Sequence, residues 1–231
     1  MIDKIDDIYK PFNDRDDALY KLLGIIHLEN LIKDNVVLIA ISAGGLLFAN
    51  EICKRANLSL DFLFSEPIFA PKNPDCKIAI VSETMDITIN ETLVDCFDIS
   101  YDFIYGEAQR KYEEKILPDI YKYRKGQNLR SLDKRNVLII DEGIETGLSI
   151  SVAIKSCLKK GVNGIMVAAP VISDDVTLLL DESADAVYSV CRPKHFVNTK
   201  HYFKHIEEVD SSIIVNILDK SLSKLIQTQK G

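Results

Sequence analysis

The sequence predicts an α/β protein, a mostly parallel sheet covered by helices. Two observations carry that assignment. Short β-rich apolar runs alternate along the chain with longer helical patterns, the order that a helix-covered parallel sheet requires. The runs themselves are dense in Val, Ile, Leu and Ala, as strands buried on both faces must be.

In chain order the candidate strands are 36–41, 60–64, 77–81, 137–141, 164–169 and 186–191. Residues 46–56 read as a helix that stops near Asn57, and 149–160 as another, closed by Lys159, Lys160 and Gly161, because basic residues in a last turn and a following glycine both end helices. Between 101 and 123 charges and tyrosines are dense and Pro118 interrupts them, which predicts a broken or mobile helical segment rather than a continuous core helix. Ile214, Leu218, Leu222 and Leu225 share one helical face near the C-terminus, a stripe suited to packing back onto the domain or onto a partner subunit. No repeat and no long Pro/Gly/Ser linker divides the 231 residues, so the expectation is one domain over 1–231.

Composition narrows the function classes. The 28 Lys+Arg against 35 Asp+Glu leave a net charge of -7, which argues against broad binding to nucleic acid or to an anionic membrane. Cys53, Cys76, Cys96, Cys157 and Cys191 are widely spaced and form no C-x-x-C pair, suiting neither a zinc site nor a secreted disulfide framework. The acidic start from Met1 to Asp7 lacks the layout of a signal peptide. The most apolar stretch, 36–49, contains Ser42, Gly44 and Gly45 and is shorter than the ~18 residues of a spanning helix. The expectation is a soluble, cytoplasmic protein that acts on a small molecule.

The chemistry concentrates at 137–149, where the apolar strand Val137-Leu138-Ile139-Ile140 runs into Asp141-Glu142-Gly143-Ile144-Glu145-Thr146-Gly147-Leu148-Ser149. Ligands of open α/β sheets gather at the carboxyl ends of the strands, where paired acids can accept hydrogen bonds from two ribose hydroxyls. The loop beyond them opens a helix, and the unpaired N–H groups of a helix start attract phosphate, with a dipole contribution of ~0.3–1 kcal/mol. Gly147 permits close approach of the backbone, and Thr146 and Ser149 add hydroxyls. Neither G-x-x-x-x-G-K-[ST] nor G-x-G-x-x-G occurs, which turns the reading away from ordinary P-loop and dinucleotide chemistry. Solvated acids at a strand end and a plain helix cap remain the structural alternative for each piece taken singly.

The segment Asp141 to Ser149 resembles the phosphoribosyl pyrophosphate signature of type I phosphoribosyltransferases, in which a strand ends in two acids before a Thr-Gly loop. The resemblance extends to Phe12-Asn13-Asp14-Arg15, to Ser42-Ala43-Gly44-Gly45, to Tyr123-Arg124-Lys125-Gly126, to Ala169-Pro170-Val171 and to the aromatic stretch with Phe196, Tyr202 and Phe203. In that order these segments are similar to a poorly characterised bacterial branch of the family. The resemblance implies a Rossmann-like sheet with a small hood, Mg2+, and transfer of a phosphoribosyl group to a nucleobase nitrogen.

By the same resemblance Asp141 and Glu142 hold ribose hydroxyls, Glu145 to Ser149 (with Thr146, Gly147 and Leu148) hold the 5-phosphate, Gly143 counts among the substrate-binding residues, and Ser42, Ala43, Gly44 and Gly45 face pyrophosphate. Glu145 matches the position at which some purine-using relatives carry an acid for proton transfer. The segment that contains Arg110 and Lys111 is similar to one lying near a mobile cover. One departure stands out: the branch tends to carry Arg where this chain has Ala43, so Arg15, Arg110, Lys111 and Arg124 are candidates for the missing charge, each also suited to a solvated surface. His27, His195, His201 and His205 form no recognised metal motif, and no residue is assigned as a metal ligand. The resemblance allows a homodimer, although the C-terminal stripe can equally be covered within one chain. The competing reading is a non-catalytic regulatory protein that binds phosphoribosyl pyrophosphate or a nucleotide; a purely structural α/β module would leave the loop unused.

Overall fold

The computed structural model describes residues 10–228, with the side chains of 225–228 outside that description. The expectations placed on Met1 to Asp7 and on Leu225 therefore lie outside the described residues. The first half runs α1 (Arg15–Leu23), α2 (Leu28–Lys33), β1 (Val37–Ala40), α3 (Ala43–Ala56), β2 (Ser59–Phe62), β3 (Ser65–Ala70), β4 (Asn73–Ser82), β5 (Ile87–Ile89), α4 (Glu91–Cys96), α5 (Tyr101–Lys111) and α6 (Leu117–Arg124). The second half runs β6 (Asn136–Ile140), β7 (Gly143–Ile144), α7 (Leu148–Lys159), β8 (Gly164–Ile172), α8 (Asp174–Ser183), β9 (Ala186–Cys191) and α9 (Ser211–Thr228).

The main sheet is parallel throughout, in the order β2-β1-β6-β8 with β7 and β9 both pairing β8. Residues Val37 to Ala40 and Val137 to Ile140 are fully buried. Alternate side chains feed opposite faces, so Leu38, Ala40, Leu138 and Ile140 enter one core while Val37, Ile39, Val137 and Ile139 enter the other, as the two-residue period of a strand dictates. Full burial of a Leu, Ile or Val side chain contributes about 1.5–3 kcal/mol, which makes this double-sided strand pair the strongest local determinant of the fold.

The run at 77–81 has a different place from the one its apolar pattern suggests. It belongs to β4, the middle strand of a separate antiparallel sheet β3-β4-β5. Its partner β3 escapes pattern reading because Glu66 and Pro67 interrupt the apolar run. Proline is tolerated there because β3 is an edge strand and needs no donor on its open side. This small sheet is the lesser body beside the main one. It rests on α7, where Ile80 packs with Leu148 and Val152, and Ser156 Oγ, bonded at 2.9 Å to Ser82 Oγ, receives a 2.8 Å bond from Thr84 Oγ1.

From Tyr101 to Arg124 the chain stays helical, with a π turn over Tyr112–Ile116 joining α5 to α6. The expected break does not occur: the π turn carries the helix through. Its wider i→i+5 bonding relieves the clash that Pro118 would otherwise make with the preceding turn. Ile104, Ala108, Ile116 and Ile120 form the buried stripe of this helix, while Arg110, Glu113 and Glu114 are exposed. Arg124 is buried too, paired with Glu83 and 3.7 Å from Asp61, with its guanidinium over the Phe64 ring. It ties α6 to β2 and to the end of β4.

The segment ahead of α1 meets the one ahead of α9. Phe12 bridges to Phe203, with a 3.2 Å bond from the Phe12 N–H to the Tyr202 carbonyl. Helix α9 packs on α6, β2 and α3. Ile217 and Leu218 are buried there, and Ser221 Oγ donates to the Leu60 carbonyl at 2.6 Å. The stripe is thus covered within one chain at these positions. Leu218→Ala should lower the unfolding free energy by about 2–5 kcal/mol, whereas Leu179→Ala, at an exposed position, should stay within about 0.5 kcal/mol; urea titrations of the two variants check this.

Candidate active site

Strands β1 and β6 run in register, Val37 opposite Val137 and Ala40 opposite Ile140, and the Ile41 N–H donates to the Ile140 carbonyl at 3.2 Å. Both chain segments therefore leave the sheet side by side. Ser42 caps α3, its Oγ accepting from the Gly45 N–H at 3.0 Å, and the same hydroxyl donates to Asp141 Oδ1 at 2.5 Å. Asp141 Oδ1 also accepts from the Glu142 N–H at 2.7 Å. Burial pushes the Asp141 carboxyl up to about 6, the Ser42 and Glu142 bonds holding it lower than burial alone would.

Tight packing between α3 and the end of β6 explains Gly45, and Gly44 leaves room for the Glu142 side chain. A methyl group on Gly45 would come within 2.6 Å of the Ile140 carbonyl oxygen, and one on Gly44 would overlap the Glu142 carboxylate. Glu142 thus lies across the start of α3. There Arg15 of α1 meets it, Nε to Oε1 at 2.5 Å, with both side chains about one-fifth exposed. Of the four cations considered from sequence, this is the one that reaches the acid pair. Arg110 instead pairs with Glu107 and Glu114 on the outer face of α5, and Lys111 lies 3.8 Å from Glu66 on β3. The Arg124 network leaves no solvated surface role for that residue.

The second helix start differs. Gly147, at φ 76°, is the N-cap residue of α7 and supplies no side-chain cap, so the first N–H groups of α7 lack the satisfaction that Ser42 gives α3. Gly147 is the residue type this left-handed turn favours. Beside it lies a cleft of about 430 Å3 lined by Asp141, Gly143, Glu145, Thr146, Gly147 and Ser149 from one wall and by Asp75, Cys76 and Lys77 of β4 from another, with Thr199 beside Gly143. Glu145 and Thr146 are exposed. Leu148 turns its side chain into the contact with Ile80 and Val152, leaving only its backbone for the loop. Ser42, Ala43, Gly44 and Gly45 are not among the residues lining this cleft; they lie at the neighbouring helix start.

Sequence reasoning misses Lys77 and Thr199. Lys77 opens an apolar run that reads as a buried strand, and no local signal marks Thr199; both reach the cleft only because the small sheet and the 199–202 turn fold over the loop. Among the described residues no group of three or more His, Cys, Asp or Glu is placed to hold a metal, and no helix is long and apolar enough to cross a membrane.

Two acids at a strand end followed by an uncapped helix start have the chemistry to suit an anionic, hydroxyl-bearing ligand in an α/β protein. Residues 15–202 match the family model of the phosphoribosyl transferase domain, and the chain belongs to that family. Two Mycobacterium tuberculosis proteins that carry the name putative phosphoribosyl transferase, from strains CDC 1551 / Oshkosh and H37Rv, are each 24% identical over 216 residues, 92% of this chain. The chain spans about half the length, 47%, of these relatives. The crystal structure of TT1426 from Thermus thermophilus shares the fold, with TM-score 0.70 and 23% identity over 90% of this chain and 98% of that one.

The buried acid makes a pH prediction. The folded Asp141 carboxyl titrates near 6 and an unfolded aspartate near 3.9, so between those values the folded state holds the extra proton and the contribution of this group to stability falls as pH rises. The loss is complete above about pH 6. Asp141→Asn cannot ionise. Its stability relative to the wild type should therefore increase by up to about 3 kcal/mol from pH ~4 to pH ~7, read by urea unfolding of both proteins at each pH.

Proposed function

We propose that this chain, as one domain over 1–231, transfers the 5-phosphoribosyl group from phosphoribosyl pyrophosphate to a nitrogenous base and releases pyrophosphate. The observation that carries the reading is the uncapped start of α7 at the floor of an open cleft, directly after Asp141 and Glu142. The α7 amides, Thr146 and Ser149 receive the 5-phosphate. Asp141 and Glu142 accept from the ribose hydroxyls, and Ser42 to Gly45 face the pyrophosphate.

Loss of pyrophosphate leaves positive charge at the sugar carbon, and fixed oxygen acceptors near it lower the barrier. No nucleophilic side chain is needed. Glu145, exposed at the cleft rim, takes or returns the proton on the acceptor nitrogen. Mg2+ prefers oxygen ligands and keeps several waters; its charge would neutralise the departing pyrophosphate. Asp141 and Glu142 would act on the ion through water or the ribose hydroxyls, with substrate oxygens as its main ligands. Arg110 and Lys111 enter this reading only as members of a segment that closes over the bound substrate.

The alternative, a regulatory protein that binds phosphoribosyl pyrophosphate or a nucleotide without turnover, is favoured by one feature: Glu142 covers the start of α3, which carries no cation of its own. Incubation with Mg2+, phosphoribosyl pyrophosphate and a panel of nitrogenous bases, with pyrophosphate release measured, separates the two. Turnover supports the transferase, and saturable binding without turnover supports the regulator. Thr146→Ala should weaken ribose 5-phosphate binding by about tenfold. Glu145→Gln should cut turnover by about 10²-fold or more with ribose 5-phosphate affinity unchanged; unchanged turnover in that variant removes the proton-transfer role.

A further inference from the structure

Resting on that reading, we infer that Arg15 is the pyrophosphate-binding cation of the site and that Glu142 is its resident competitor, occupying the pyrophosphate position until substrate arrives. Three features of the structure converge on this. Arg15 projects from α1, a segment distant in sequence, onto the two-glycine start of α3. The group it holds there is a carboxylate lying directly over Gly44, where an added Cβ would overlap it unless the Glu142 side chain moved away. That start carries only Ala43 between its cap and its glycines, so the charge opposite an anion must come from elsewhere in the fold.

A carboxylate is a small oxyanion, and its bond to Arg15 shows the chemistry the spot accepts. Pyrophosphate carries more charge and more oxygens, and the guanidinium fork suits it better than it suits one carboxylate. The two anions cannot share the position without strong repulsion. When pyrophosphate enters, Arg15 changes partner and Glu142 is released toward the ribose side, where Asp141 already stands. The ion pair thereby couples occupation of the leaving-group position to completion of the ribose clamp.

The coupling gives the two residues opposite signatures. For inorganic pyrophosphate, Arg15→Gln should weaken binding by about tenfold or more, whereas Glu142→Gln should strengthen it by about threefold to tenfold by removing the competitor. For ribose 5-phosphate, which lacks the pyrophosphate, Arg15→Gln should change affinity by less than about twofold and Glu142→Gln should weaken it. Arg15→Lys keeps the charge without the fork and should fall between the wild type and Arg15→Gln for pyrophosphate.

Isothermal titration of both probes into the wild type and these three variants, each first checked for cooperative unfolding, makes the test. Opposite shifts for pyrophosphate in Arg15→Gln and Glu142→Gln support the inference. Weakening in both variants marks a merely structural ion pair and overturns it, as does an unchanged pyrophosphate affinity in Arg15→Gln. Failure of the wild type to bind ribose 5-phosphate would overturn the phosphoribosyl reading itself, and the inference with it.

Discussion

The parallel pairing of β1 with β6 is the constraint on which the rest of the structure depends. Because Ala40 stands opposite Ile140, the two strands stop at the same level and both following segments emerge at one edge of the sheet. A slip of one residue would turn every buried side chain of these strands to the other face. Such a slip would exchange side chains of different size between the two packed cores, and Ser42 would lose Asp141. The site geometry is therefore protected by the same burial that holds the sheet together.

Two helix starts meet at that edge, and they differ in electrostatic state. The start of α3 is satisfied: Ser42 caps it, Glu142 covers it and Arg15 neutralises Glu142. The start of α7 is open, behind a left-handed Gly147 and next to exposed Glu145 and Thr146. An anion meeting α7 gains free donors, while one meeting α3 must displace a carboxylate. The two helix starts therefore differ in what they offer an anion. Asp141 is buried and hydrogen-bonded to the α3 cap, and it also lines the cleft beside the start of α7.

The small antiparallel sheet contributes a wall as well as bulk. It is held on α7 by Ile80 against Leu148 and Val152 and by the Ser82, Thr84 and Ser156 hydroxyls, and this seating brings Lys77 to the cleft. On its other side Arg124 and Glu83 anchor the sheet's far end to α6 and β2 in a buried cluster. Burial raises the Glu83 carboxyl while the Arg124 guanidinium opposes that shift. Removing one partner would leave the other charge buried and unpaired, which makes such clusters costly to break.

By itself the sequence determined the α/β class, the placement of most main-sheet strands within a residue or two, the helix boundaries at Asn57 and Gly161, and the acid-and-glycine loop of 141–149, because strand periodicity, burial and helix endings are set by residues close together in the chain. Only the tertiary structure decided that 77–81 joins a second sheet, that the chain stays helical past Pro118 by way of a π turn, and that Arg15 rather than Arg110 or Arg124 meets Glu142. Those outcomes depend on which distant surfaces pack together. A single chain carries no periodic signal for the approach of Arg15 to Glu142 or for the meeting of Lys77 and Thr146 at one cleft, since each is fixed by the packing of whole elements and not by spacing along the backbone.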